Sequence, residues 1–136
     1  MQTKYDYQDG DGRIVHSVIR TEDKDFFRVR DVDGKKISNW DGIQVVPFNL
    51  PEIYKKTAVI LVEGEKDVLT LKELGVPATT IPGGSYGWGP LMKKQPKFCQ
   101  QYFSGKTIII IMHLFPFGVN SMDFAFLSNG SGPMES

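Results

Sequence analysis

The 136-residue chain has one cysteine and two histidines, so soft metal ligands are nearly absent. Cys99 alone makes neither an internal disulfide nor a cysteine-rich zinc site, and His16 and His113 stand at no ligand spacing. This usage fits a reducing, cytoplasmic setting. Net charge is also missing: sixteen Lys plus Arg balance sixteen Asp plus Glu. Any attraction to nucleic acid must therefore come from a local patch. No apolar run is long. The stretch from Ile108 to Phe117, broken by His113, falls far short of the roughly 20 residues that cross a bilayer. Residues Met1 to Asp6 lack the apolar region of a secretory signal, so no membrane or export role is expected. Finally, no Lys or Arg occurs from Thr107 onward, although the preceding 106 residues hold all sixteen. What remains is 40% hydrophobic and 12% aromatic, enough for one buried core. The length excludes two full catalytic domains.

Residues 1–56 alternate apolar and polar positions between turn signals. Asp9-Gly10-Asp11-Gly12 precedes a strand pattern from Arg13 to Arg20, and Asp33-Gly34 joins Phe26–Val32 to Lys35–Trp40 as a two-residue hairpin. The expectation is a small antiparallel β meander. A calcium loop built on Gly12 would put Tyr7 first and Val18 last, where carboxylates are needed, so the aspartates read as turn formers. After Pro47 and Pro51 the pattern changes. Ala58–Val62 is a continuous apolar run, as in a strand buried on both faces. Helical spacing follows over Asp67–Leu74, with Gly75 as cap and Pro77 beyond. Ala78–Ile81 reads as a short strand, Pro82–Pro90 as a loop, Leu91–Phe103 as a weak helix or helix pair around Pro96, and Thr107–Ile111 as a second buried strand. This alternation implies an α/β fold with a parallel sheet over 57–111. Residues 112–136 show no period, and irregular structure is expected there.

Ligands of such sheets bind at the carboxyl ends of the strands. Glu63 follows one directly, Gly64 allows a tight turn, and Asp67 lies one helical turn on. These carboxylates suit magnesium binding or proton transfer, and equally suit a helix N-terminus, where negative charge is favourable. The loop Gly83-Gly84-Ser85-Tyr86-Gly87-Trp88-Gly89 lacks the Gly-Lys-Ser/Thr ending of a phosphate loop. Arg28, Arg30, Lys35 and Lys36 flank a hairpin that also carries Phe27 and Trp40, a mixture able to follow a single strand. The ten basic and ten acidic residues of 1–56 also fit a solvated face. Cys99 reads as a small core residue and His113 as a buried or edge histidine.

Val62-Glu63-Gly64-Glu65-Lys66-Asp67, Leu74-Gly75-Val76-Pro77-Ala78-Thr79-Thr80 and Pro82-Gly83-Gly84 with Trp88 resemble the Toprim domain of phage and plasmid DNA primases and primase-helicases. Tyr5 to Gly12, Val18 to Arg20 and Lys24 to Arg30 are similar to the β-rich segment that precedes this core in the family. The resemblance covers residues 4–111 and implies a Toprim-like parallel core with helices. It implies Glu63 as the catalytic acid or base of magnesium-dependent nucleotidyl transfer and Asp67 as a metal ligand. Nucleic-acid contacts would come from Lys66, Gly83, Gly84, Trp88, Arg28 and Arg30. The implied partners are single-stranded DNA or a primer-template, nucleotides, and a helicase or zinc-finger domain missing from this chain.

The departure falls after Ile111. The family continues with Asp-x-Asp, two residues and a glycine; aligned on Gly118, His113 and Phe115 stand where the aspartates belong. Phenylalanine cannot ligate magnesium, and histidine is a poor partner for a hard cation. Three readings follow: a partial primase-type enzyme, weak or inactive in isolation; a non-catalytic module that binds nucleic acid or a replication partner; and a truncated gene relic. A frameshift past Ile111 predicts that translating the coding DNA in its other frames restores Asp-x-Asp and an amphipathic continuation; a genuine divergent tail predicts that neither frame does.

Overall fold

The computed structural model describes residues 2–23, 25–113 and 122–129. Four strands form the antiparallel meander: β1 (Gln2–Gln8), β2 (Ile14–Thr21), β3 (Phe26–Val32) and β4 (Lys35–Ile37), in that spatial order. Asp9 Oδ1 accepts the backbone N–H groups of Asp11 and Arg13, so this carboxylate holds the first turn. Asp33 and Gly34 both take positive φ, as a two-residue hairpin matched to the strand twist requires. The β4 strand stops at Ile37, short of the expected Trp40. Arg30 explains the stop: its Nε donates to the Asn39 carbonyl and pulls the chain out of the ladder.

A four-residue helix, α1 (Leu50–Ile53), starts just before Pro51, and its last residue, Ile53, lies in the core. Pro at such a position costs nothing because the first helical N–H groups are unpaired anyway. The α/β core follows as β5 (Ala58–Leu61), α2 (Glu65–Glu73), β6 (Ala78–Thr79), a 3-10 turn over Gly84–Gly87, α3 (Trp88–Lys94), α4 (Phe98–Phe103) and β7 (Lys106–His113). Strands β6 and β7 flank β5, both parallel to it, as the apolar runs predict. At the end of α2, Gly75 N–H bonds to the Lys72 carbonyl and Val76 N–H to that of Leu71, a Schellman cap on a positive-φ glycine. Pro96 divides α3 from α4, as the weak-helix reading allows.

For residues 112–113 and 122–129 the expectation of irregular structure over 112–136 is corrected. Met112 and His113 extend β7, and β8 (Met122–Asn129) pairs antiparallel with it over its whole length. Backbone pairing needs no side-chain period, which is why the sequence pattern missed it. Phe115, Gly118 and the Ser/Gly-rich end of the tail lie outside the described residues.

One apolar cluster runs through both sheets, joining Tyr7, Val18 and Phe48 to Ile53, Val59, Val68, Phe98 and Ile108. Residues 45–49 fasten the join: Thr79 donates its hydroxyl to the Phe48 carbonyl, and Phe48 N–H bonds to the Thr80 carbonyl. His16 is fully buried between Tyr7 and Trp40, with ring centroids 4.7 and 4.3 Å away. Its Nε2 accepts the Val46 N–H. Burial, with the Arg28 charge as a lesser cause, lowers its pKa from 6.5 to about 3. An unfolded histidine binds a proton below about pH 6.5, so His16 contributes stability fully above that pH and loses it as pH falls toward 3. Urea unfolding between pH 4.5 and 7.5 is therefore expected to show an extra slope of up to about 1.4 kcal/mol per pH unit below 6.5, which is absent in His16→Gln.

Candidate active site and adjoining groove

Beyond β5 the chain reaches Glu63, half-buried at the carboxyl end of the parallel sheet. Glu63 Oε2 accepts both the Ser85 N–H (3.1 Å) and the Ser85 hydroxyl (3.0 Å). The glycine-rich loop is thus folded onto the glutamate, and at Gly84 and Gly87 nothing larger fits. A Cβ on Gly84 would lie 2.6 Å from the Glu63 carbonyl oxygen and 2.7 Å from Oε2. One on Gly87 would lie 2.0 Å from the Pro82 carbonyl oxygen.

Two residues on, Glu65 behaves differently. It is buried at the first turn of α2, 1% exposed. Its Oε2 accepts the Tyr7 hydroxyl at 2.5 Å and its Oε1 the Arg20 Nε at 3.0 Å. Burial, then the adjacent Glu65 carboxylate, push the Tyr7 phenol well above its ordinary range. Sequence reasoning passed over this triad because its members come from three separate elements. The only advance signal was the in-phase placing of Tyr7 and Arg20 on neighbouring strands.

Between the meander and the glycine loop lies a groove of about 560 Å³. Arg20, Arg28 and Lys94 bring positive charge to it, while Asp41 is its acidic lining residue. Phe26, Trp40 and the 88% exposed Tyr86 supply aromatic surface. The Arg20 guanidinium lies 5.3 Å from the Phe26 ring centroid and that of Arg28 lies 5.0 Å from Trp40. Gly83 and Gly87 form part of the wall. On the loop's other side, a mostly apolar cavity of about 300 Å³ touches Glu63, Gly84, Ser85 and Trp88.

The structure brings five of the eight expected residues to two places and leaves Arg30, Lys66 and Asp67 outside both. Glu63, Gly84 and Trp88 border the cavity, where Trp88 also packs edge-on against Phe98. Gly83 and Arg28 border the groove. Arg30 is engaged with Asn39 through Nε and Nη2. Lys66 is exposed on α2, and Asp67 is half-buried in its first turn. Arg20, Lys94 and Tyr86 are groove residues that the sequence reading did not select.

Magnesium catalysis needs several oxygen ligands converging on the ion. Among the described residues no group of three or more His, Cys, Asp or Glu side chains meets this need. One Glu63 oxygen is engaged by Ser85, and Glu65 is turned to Tyr7 and Arg20. Among the described residues the strand-end carboxylates are Glu63 and the half-buried Asp67, fewer than such an ion needs.

Among solved structures, the fold is similar to the primase fragment of the bacteriophage T7 primase-helicase protein, with TM-score 0.58 and 22% identity over 87% of this chain and 45% of that one. It is also similar to a chain from a complex of bacteriophage T7 lagging-strand DNA polymerase with primase domains bound to an RNA/DNA hybrid and dTTP. There the TM-score is 0.53 and the identity 21%, over 87% of this chain and 55% of that one. The chain thus spans about half the length of these neighbours. No family model and no curated protein matches it. Among the described residues no helix is long and apolar enough to cross a membrane. The fold is primase-like, an α/β Toprim-like core behind an antiparallel meander.

Gly84→Ala is expected to cost at least about 1–3 kcal/mol, through strain at positive φ and displacement of Glu63. Gly89→Ala, with open space around it in α3, is expected to be neutral or stabilising by up to about 1 kcal/mol. Urea denaturation of both variants checks the contrast.

Proposed function

We propose that this chain is the Toprim-type part of a DNA primase or primase-helicase of a phage or mobile element. In this reading it holds single-stranded nucleic acid in the groove, while nucleotidyl transfer by the isolated chain is weak or absent. The observation that carries the reading is the meeting of three cations and three aromatic rings with a glycine-rich wall on a primase-like fold. Aromatic rings stack on unpaired bases and cations neutralise the backbone, so such a groove suits a single strand better than a duplex. A protein with zero net charge gains little from its overall field, which puts the work on these local groups.

Glu63 favours a second reading, in which it moves a proton in phosphodiester chemistry. The loop fixes Oε2 with two donors and leaves Oε1 to act. That reading requires further carboxylates and magnesium. A cytoplasmic replication role, with helicase and zinc-finger domains supplied elsewhere, belongs to both readings.

Fluorescence anisotropy with a 12-nucleotide oligothymidylate tests the binding. Three phosphate-neutralising cations predict that log K falls with log salt at a slope near −2, and Arg28→Ala reduces it by about 0.7. Calorimetry with magnesium separates the readings. The binding reading expects no saturable site at millimolar metal. A saturable site lost in Glu63→Gln supports catalysis by this chain, and an absence of oligonucleotide binding in a marginally stable protein supports a relic.

A further inference from the structure

We infer that Arg20 is the groove's phosphate-recognising residue, and that Glu65 and Tyr7 act as positioning residues that hold its guanidinium ready. The inference rests on the nucleic-acid reading of the groove.

Arg20, next to last in β2, pairs with Phe26 on β3, which puts both side chains on the groove side of the meander. The guanidinium stacks over the Phe26 ring, and its Nε is fixed inward on Glu65 Oε1. Glu65 is itself fixed, since its other oxygen receives the Tyr7 hydroxyl in the core. A guanidinium is planar, so anchoring Nε on one edge and the face on a ring leaves the two Nη groups as the working end. They make no hydrogen bond among the described residues, and the side chain is 34% exposed. A pre-oriented pair of N–H donors matches the oxygens of a phosphate, and it loses less conformational freedom on binding than a free lysine. Arg28 also stacks on an aromatic ring, but among the described residues no carboxylate anchors it. Lys94 is a flexible point charge.

The decisive comparison uses sign. If Glu65 only added negative charge near the groove, Glu65→Gln would strengthen binding to a polyanion. If Glu65 aims Arg20, the same change weakens it. With the 12-nucleotide oligothymidylate, Arg20→Lys is expected to lose about tenfold in affinity at an unchanged salt slope, because the charge stays and the fork is lost. Glu65→Gln is expected to lose three- to tenfold, and Tyr7→Phe about twofold. Equal or tighter binding by folded Glu65→Gln overturns the positioning role. Repeating Arg20→Lys with dTTP assigns the source of the phosphate: loss with the oligonucleotide alone places a strand phosphate on Arg20, loss with dTTP alone places a nucleotide's, and loss with neither overturns the proposal.

If a variant does not fold, the wild-type Arg20 Nε–H resonance supplies the answer. It is expected to shift on saturation with oligonucleotide, and an unmoved resonance overturns the proposal. Affinity that responds to Arg28→Ala and Lys94→Ala but not to Arg20→Lys removes this inference and leaves the groove reading standing. A wild type that does not bind the oligonucleotide removes both.

Discussion

The buried carboxylate of Glu65 sets the relation between the two halves of the molecule. At 1% exposure it cannot be left without partners, because an uncompensated buried charge costs several kcal/mol. Its partners come from β1 and β2, 58 and 45 residues upstream. The amino end of α2 and the inner face of the meander must therefore stay together. Apolar contacts alone would tolerate sliding between the sheets, whereas two directed hydrogen bonds fix an angle. The groove between meander and glycine loop exists because that angle is fixed. Its width is a consequence of where Tyr7 and Arg20 meet Glu65.

Two glutamates separated by one glycine thus serve opposite ends. Glu63 faces the loop that follows β6 and is held by main-chain and hydroxyl donors of Ser85. Glu65 faces the meander and joins α2 to it through Tyr7 and Arg20, beside the hydrogen bonds of residues 45–49. Gly64 between them is extended, the starting conformation of a helix N-cap, and this turns the two side chains to different neighbours. The glycine loop works as a partition with two faces. Gly84 and Ser85 meet Glu63 and the apolar cavity, while Gly83, Tyr86 and Gly87 face the cationic groove. A wall this thin is possible only with glycine, since a single methyl at Gly84 or Gly87 would enter occupied space.

Much of this was legible in the sequence because local chemistry dictates it. The runs at Ala58–Val62 and Thr107–Ile111 announce the parallel strands, Gly75 announces a helix end, and Asp33-Gly34 a hairpin. The expected burial of those strands on both faces is not met: Val59, Leu61 and Ile108 are buried, Ile60 and Ile109 half-buried, and Ala58 and Thr107 exposed. What escaped depends on distant partners. Glu65 reads locally as one more acid at a helix start, and only Tyr7 and Arg20 make it interior. Arg20 reads as the solvated end of a strand until Glu65 and Phe26 give it direction. The short α1 escaped because four residues make no period. Strand β8 escaped because its pairing is decided by the open edge of β7. Of the expected residues, Arg28 and Gly83 line the groove and Glu63, Gly84 and Trp88 the neighbouring cavity, whereas Arg30, Lys66 and Asp67 line neither.

That edge also separates two properties along the chain. Residues Ile108 to Ile111 form an apolar stretch of β7, and an uncovered edge of this kind invites pairing with other chains. Pairing with β8 from Lys106 to His113 satisfies its backbone within the molecule, whatever side chains β8 carries. The parallel sheet can then stand without the carboxylates that the Toprim resemblance would place just beyond β7. The groove is lined by residues from Arg20 to Gln95, all upstream of the point where the sequence departs from that resemblance. None of the groove's lining residues lies beyond Ile111. The Glu65 join and the groove it shapes depend on the segment that precedes that residue.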